Sequence, residues 1–512
     1  MAIQPETKHP FLLYAAAGFF CLYLLYSQIT LYLSRRRIIR QNGCQPLVHR
    51  INKDPFFGLD VIAENRKLGS EKRFLPCAEQ RFYRLGVWTY GSRIFGESFV
   101  VTAEPENIKT VLSTKFKDFT LGVREHYFKS LLGHGIFNSD GEKWANSRHL
   151  LRPNFAKDQL ADLEAFERHM KLMLKAIPKD GSTVDLQELF FRLTIDSATE
   201  FLFGHSTNSL KYMDVDDENN EDTIFAKAFN EAQHEIVQNV RLGGLSFFRS
   251  QKRAKHVNRI CHEYVDKFVD DAIRSRERRD LEKDAAMKQT KYVFSHELAK
   301  QTTDKKALRD ELINILLAGR DTTASLLSNM FFEISKKPYI WAKLREEVAQ
   351  LEGRLPTYEE LRNLKYLKWC LNESLRLHPV VPGNSRLAIR DTVLPLGGGP
   401  TGKSPLFIPK GTVVGYSPYT MHRRTDFYGP DATAFKPERW EHLRPGWEFL
   451  PFNGGPRICL GQQYALTEAS YVTCRLVQEF KGCESRSEGG WVEQLTLTVA
   501  SDKGAKVSLT PA

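Results

Sequence analysis

The chain has 512 residues, 42% of them hydrophobic and 26% charged, with 73 Lys+Arg against 62 Asp+Glu. That composition excludes wholesale disorder and a multi-span membrane protein. The basic excess comes without zinc-knuckle spacing, a Gly-aromatic-Gly RNA motif or a long basic helix, so it points to an anionic lipid surface and an acidic protein partner rather than to nucleic acid.

The first predicted element is a membrane span. Phe11 to Leu33 contains no charged residue, and at about 1.5 Å per helical residue it reaches roughly 34 Å, enough for a ~30 Å hydrocarbon core. A cleaved signal peptide would have a shorter apolar core and a small-residue cleavage site. Here the run ends in Ser34-Arg35-Arg36-Arg37. Arg35, Arg36, Arg37 and Arg40 follow it and one lysine precedes it, so the positive-inside rule puts residues 1–10 in the lumen and the remaining bulk in the cytosol. Residues 34–50 read as a basic flank and hinge, because Gln41-Asn42-Gly43-Cys44-Gln45-Pro46 breaks any helix. Residues 51–512 carry no composition shift and read as one domain.

Helical spacing dominates the middle of the chain. Leu186, Leu189, Phe190 and Leu193 share a face before a stop at Gly204, and Trp341, Leu344, Val348 and Leu351 do so after Pro338. Leu308 to Phe332 is apolar nearly all round, which predicts a buried helix. The acidic stretch Asp214 to Asp222 and the mixed-charge stretch Arg274 to Asp280 read as solvated. Beyond Pro379, short runs such as Leu406-Phe407-Ile408 and Thr412-Val413-Val414 predict brief strands. The fold class is mainly α with a small β region. The eight cysteines, at 21, 44, 77, 261, 370, 459, 474 and 483, contain no C-x-x-C pair. Free thiols in a reducing compartment follow.

One motif stands out. Phe452 to Gly461, FNGGPRICLG, fits F-x-G-G-x-R-x-C-x-G, a coincidence expected on the order of once in 10⁵ unrelated sequences at average residue frequencies. Its glycines let the backbone approach a flat macrocycle, backbone N–H groups can hold Cys459 ionised, and Arg457 can offer a guanidinium to a carboxylate. A helix predicted from Ala465 to Phe480 would add its positive end. Within the apolar helix lies Ala318-Gly319-Arg320-Asp321-Thr322-Thr323. A mid-helix glycine costs about 1 kcal/mol against alanine, which close helix packing would explain, but an acid beside an alcohol on a buried helix also suits proton delivery. Glu373-Ser374-Leu375-Arg376 fits E-x-x-R, as do Glu359 to Arg362 and Glu441 to Arg444. Context selects Glu373, since Leu377-His378-Pro379 ends its helix and Pro437-Glu438-Arg439-Trp440 precedes the cysteine motif. Trp144 and Arg148 are one helical turn apart, and Arg386 follows Pro382.

Phe452 to Gly461 resembles the haem-binding signature of the cytochrome P-450 superfamily. The resemblance implies a helical array around haem b (iron-protoporphyrin IX), with Cys459 as the iron ligand and Phe452 covering the sulfur. Thiolate ligation favours O–O cleavage, the chemistry of a monooxygenase. It also implies that Thr322 hydrogen-bonds bound oxygen, Asp321 relays protons, and Gly319 leaves room for oxygen. Trp144, Arg148, Arg386 and Arg457 then serve the haem propionates, and Glu373, Arg376 and Arg439 form a structural ion-pair network. LLGHGIFNSDGEKWANSRHLLRPNF, DLQELFFRLTIDSATEFLFG, LLAGRDTTASLLSNMFFEISKKP and FNGGPRICLGQQYALTEASYV look like the fungal branch that hydroxylates n-alkanes and fatty acids. That branch implies O2 as co-substrate, an endoplasmic-reticulum anchor, a lipophilic substrate attacked at or near its terminal carbon, and NADPH–cytochrome reductase as electron donor. Only 53 residues follow Cys459, too few for a flavin domain.

Two alternatives stay open. The same fold could act on another lipophilic molecule, such as a secondary-metabolite intermediate. GGGPTGKS, Gly397 to Ser404, matches the phosphate-binding loop of nucleotide hydrolases, but Pro405 follows directly where that loop needs a helix. A glycine-rich β-connection fits better. Phe116 to Leu132 is expected to form one wall of the substrate channel, with Arg124 and Lys129 either meeting a fatty-acid carboxylate or standing in solvent.

Overall fold

The computed structural model describes residues 10–54, 56–94, 96–155, 163–213, 219–281 and 292–512. The apolar run becomes an N-terminal helix, Pro10–Gln41, that is long and apolar enough to cross a membrane. Its large side chains from Leu13 to Leu33 stand exposed rather than packed on the globule. The basic flank continues this helix without a break. The chain turns only at Asn42-Gly43, with Gly43 at φ 62°.

The segment expected to act as a hinge is tied down. The Gln45 N–H donates to the Pro405 carbonyl at 3.0 Å, the Gly399 N–H donates to the Pro46 carbonyl at 2.8 Å, and Arg35 forks onto Asp391 at 2.9 and 3.1 Å.

The globule is organised by one central helix, Lys305–Ile334. Asp304 caps it by accepting from the N–H groups of Lys306 and Ala307, satisfying donors that otherwise lack partners. Its first half, from Leu308 to Leu316, joins a core with helices Glu221–Leu242 and Lys252–Leu281. Its second half, from Ala324 to Ile334, joins another with Leu163–Ala176, Pro338–Ala349, Lys365–Leu377 and the cysteine helix Gln462–Glu479. The A-G-R-D-T-T motif falls at the seam between them.

Helix Leu186–Phe203 lies along the central helix. Asp185 caps it, Leu186, Leu189, Phe190 and Leu193 are buried, and Gly204 ends it at φ 69°. Arg274 to Asp280 lies within Lys252–Leu281. Of the acidic stretch, residues 214–218 lie outside the described residues; Asn220 caps Glu221–Leu242.

Among the described residues the strands form four sheets. Thr89–Ile94, Glu97–Thr102, Val413–Tyr416, Asn384–Ala388 and Phe119–Thr120 form a five-stranded sheet in that order, antiparallel apart from the parallel pairing of Glu97–Thr102 with Val413–Tyr416. Thr392–Gly398 and Ser404–Ile408 form a separate hairpin whose turn is the glycine-rich motif. Ser404 therefore opens a strand, not a helix, and the anion-binding helix terminus that a phosphate-binding loop requires is absent here.

Candidate active site

The cysteine loop is shaped by two positive-φ residues, Asn453 at 61° and Gly455 at 67°. A Cβ on Gly455 would fall 2.0 Å from the Leu112 carbonyl oxygen, so only glycine fits. The Cys459 N–H donates to the Phe452 carbonyl at 3.1 Å, and Arg148 donates to the Ile458 carbonyl at 3.0 Å. The cysteine helix begins at Gln462, three residues earlier than expected, which sets its positive end beside the sulfur. Cys459 lies deep in the protein mass yet its side chain is accessible, so it opens into a cleft. Burial pushes the thiol up, while the Gly461 N–H and the Arg148 charge pull the other way.

The central helix presents a matching face. Between Asp310 and Phe332 every residue is buried except Leu317, Ala318, Gly319 and Thr322. A Cβ on Gly319 would meet nothing closer than the Ala198 Cβ at 3.8 Å. Close helix packing thus does not demand this glycine; open space is what it provides. The Thr322 hydroxyl donates to the Ala318 carbonyl at 2.6 Å. Asp321 sits behind this strip, buried and paired with Arg320 at 2.8 Å. Burial raises its carboxyl, and Arg320 opposes that. The structure brings Gly319 and Thr322 to the open face and holds Asp321 away from it.

A third group is cationic. Arg457 donates to Asp140 at 2.6 Å and to the Ser139 carbonyl at 2.8 Å, with its guanidinium 4.5 Å from the Trp144 ring. Arg386 is buried, and among the described residues its Nε has no hydrogen-bond partner. Arg124 and Arg386 both donate to the Asn384 side-chain oxygen, at 2.5 and 3.2 Å. Desolvation, then repulsion by Arg386, brings Arg124 down to about 10; desolvation and both neighbouring arginines bring Arg457 to about 10 against the pull of Asp140. Three guanidiniums around one carboxylate form a site that lacks anions.

Arg124 lies in a group that sequence reasoning did not anticipate. It is half-buried, hydrogen-bonded to Asn384 and grouped with Arg386. Lys129 stands exposed on helix Arg124–Leu132. The only signal for Arg124 was a cation in an apolar stretch, and nothing in spacing tied it to Arg386.

Behind the cysteine loop, Glu373 and Arg376 form a fully buried bidentate pair at 2.8 and 2.9 Å. Arg439 approaches Glu373 at 3.4 Å, and Trp440 and the Lys436 N–H also donate to it. Arg376 in turn donates to the carbonyls of His422, Ala432 and Ala434. Burial, with Arg376 and Arg423 alongside, pushes His422 down to about 3. Its neutral Nε2 accepts from the Leu450 N–H at 2.9 Å. The ion pair is thereby linked to the backbone that leads into Phe452.

The cytochrome P450 family model matches residues 86–491, a span that holds all of this geometry. The chain belongs to the cytochrome P450 family. It is 50% identical over 470 residues to the cytochrome P450 monooxygenase himC of Aspergillus japonicus, covering 91% of this chain and 84% of that one. Against the cytochrome P450 monooxygenase fsdH of Fusarium heterosporum it is 48% identical over 493 residues, 94% and 86% of the two chains. With cytochrome P450 52A13 of Debaryomyces hansenii it shares 42% over 497 residues, 93% and 94%.

Membership makes this P450 a haem-type monooxygenase that uses O2 and electrons supplied from outside the domain. Its residues fit that cofactor: an accessible thiol in a cleft, an open helix strip, and buried guanidiniums short of anions, one with an orphaned Nε. Replacing Arg386 with Ala should speed haem transfer to excess apomyoglobin roughly ten- to a hundredfold, as expected for losing a charge-assisted hydrogen bond.

Sequence reasoning also missed Glu468. It is enclosed on the cysteine helix, and burial pushes its carboxyl up to about 8 against the Ser197 and Thr323 hydroxyls. Such an acid keeps its proton when folded but loses it above about 4.3 when unfolded. Stability from this group is therefore greatest at low pH and falls as pH rises to about 8. In a thermal-unfolding series, Glu468→Gln should match wild type near pH 4 and unfold at a higher temperature at pH 8.

Proposed function

We propose that this P450 is a single-pass endoplasmic-reticulum monooxygenase that hydroxylates a long apolar substrate, an n-alkane or fatty acid, at or near its terminal carbon. NADPH–cytochrome reductase would supply the electrons, and the anchor helix would leave the catalytic domain in the cytosol. Cys459 would hold the haem iron, and Arg124, Trp144, Arg148, Arg386 and Arg457 would surround the propionates. When bound, the haem supplies oxygen activation, and its thiolate ligand favours O–O cleavage.

The carrying observation is that the central helix, between Asp310 and Phe332, is buried except at Leu317, Ala318, Gly319 and Thr322. Gly319 gives room there, and the Thr322 hydroxyl can turn from the Ala318 carbonyl to donate a hydrogen bond. Asp321 needs a side-chain rotation away from Arg320 before it can pass a proton. Leu317, Phe128 and Leu497 are partly exposed apolar groups on the adjoining core, and they suit a hydrocarbon chain. A terminal methyl is an alkyl chain's least reactive position, so selectivity there must come from positioning.

The n-alkane and fatty-acid reading is supported by the longer sequence stretches and by 42–45% identity to cytochromes P450 52A of Debaryomyces hansenii and Candida maltosa. The second reading is a different lipophilic substrate, such as a secondary-metabolite intermediate. It is favoured by the higher identity, 48–50%, to himC and fsdH, which lie outside the 52A series. A graded panel of n-alkanes and fatty acids, incubated with reductase and NADPH, separates them. Terminal alcohols that peak at one chain length support the first. No turnover of any member, by protein with an intact spectrum, leaves only the second.

A further inference from the structure

The anchor and the glycine-rich hairpin meet in a way that the oxidation chemistry leaves unexplained. Arg35 is the second residue after the apolar run, about 3 Å along the helix beyond Leu33. It forks onto Asp391, with Nε to Oδ2 at 2.9 Å and Nη2 to Oδ1 at 3.1 Å. The Lys410 N–H also donates to Asp391 at 2.7 Å. Asp391 immediately precedes the strand Thr392–Gly398, and the far end of that strand receives the chain leaving the anchor.

There Leu47 bridges Gly398, the Gly399 N–H donates to the Pro46 carbonyl, and the Gln45 N–H donates to the Pro405 carbonyl. Farther on, Gly91 exchanges backbone hydrogen bonds with Val48 and Arg50. The approach is close enough to exclude side chains. A Cβ on Gly398 would lie 2.8 Å from the Gln45 carbonyl oxygen, and one on Gly91 would lie 2.6 Å from the His49 ring. The motif that resembles a phosphate loop is a seat for the chain's own linker.

Given the membrane-anchor reading on which this rests, we propose that the catalytic domain is clamped flush on the bilayer. Arg35–Asp391 and the seated linker hold the turn Ile389–Asp391 in the lipid headgroup layer. The turn suits that layer: Ile389 is 39% exposed, Lys410, whose N–H binds Asp391, is exposed, and Arg390 is an exposed cation within 3.4 Å of Asp118. Arg36, Arg37 and Arg40 extend the positive rim along the helix, complementary to lipid phosphates.

The test uses the full-length haem-loaded protein in phosphatidylcholine vesicles doped with phosphatidylethanolamine that carries a diazirine on its headgroup. Mass spectrometry then locates the photolabel. Label is expected at the flank of the anchor and at Ile389–Asp391. Arg35→Gln, which lies outside the globule, should lower the second about tenfold and spare the first, since it removes a bidentate charged pair. Asp391→Arg should do the same, and the swap Arg35→Asp with Asp391→Arg should restore it. Label confined to the anchor flank in wild type, or label at Ile389–Asp391 indifferent to Arg35→Gln, overturns the clamp. An unlabelled anchor overturns the membrane reading itself.

Discussion

Replacing Cys459 by Ser should leave a folded protein that makes no hydroxylated product. The side chain opens into the cleft and fills no core, and the bond from its N–H to the Phe452 carbonyl is made by backbone alone. Far-UV circular dichroism and the unfolding midpoint should therefore stay close to wild type. The chemistry should not survive. A serine hydroxyl offers no thiolate electron density, on which O–O cleavage depends. Activity is expected to fall about 10³-fold or more, equivalent to roughly 4 kcal/mol in the barrier. The Soret band of the reduced carbon monoxide complex should lose the displacement that thiolate ligation confers. Retained product with that band unchanged would remove Cys459 from the site.

Glu373→Ala should fail earlier, at folding. Both members of the Glu373–Arg376 pair are wholly buried, and removing one strands the other as an uncompensated charge, at a cost of about 3–5 kcal/mol. Trp440 and the Lys436 N–H lose their acceptor as well. Domains have only about 5–15 kcal/mol to lose, so soluble yield should collapse or the denaturation midpoint should drop sharply. Glu373→Gln keeps an acceptor for Trp440 but not the charge, and should fall between the two. Equal yields from all three chains would show that the pair does not hold the cysteine loop in place.

Features fixed by local chemistry were legible in the sequence. The apolar surround of Leu308 to Phe332 announced a buried helix, and the structure extends it only to Lys305–Ile334. Pro405 argued against a phosphate loop, and a hairpin stands there. Glu373, Arg376 and Arg439 were selected by context and do converge.

What escaped depends on distant parts of the chain. The breakers after Gln41 end the N-terminal helix, but they carry no sign that Pro405 and Gly399 will pair with the chain that follows it. Arg124 looked like a lone cation because Arg386 and Asn384 come to it from another element. Asp321 and Thr322 are adjacent in sequence, yet a helix turns successive residues about 100° apart. One faces the opening and the other faces Arg320.

The central claim is sulfur ligation of haem by this chain, and the purified full-length protein tests it directly. Haem content by the pyridine haemochrome assay and the reduced carbon monoxide difference spectrum should together show one haem per chain with the red-displaced Soret band. A catalytically active preparation without haem, or haem whose carbon monoxide complex absorbs like a histidine-ligated globin, would contradict it.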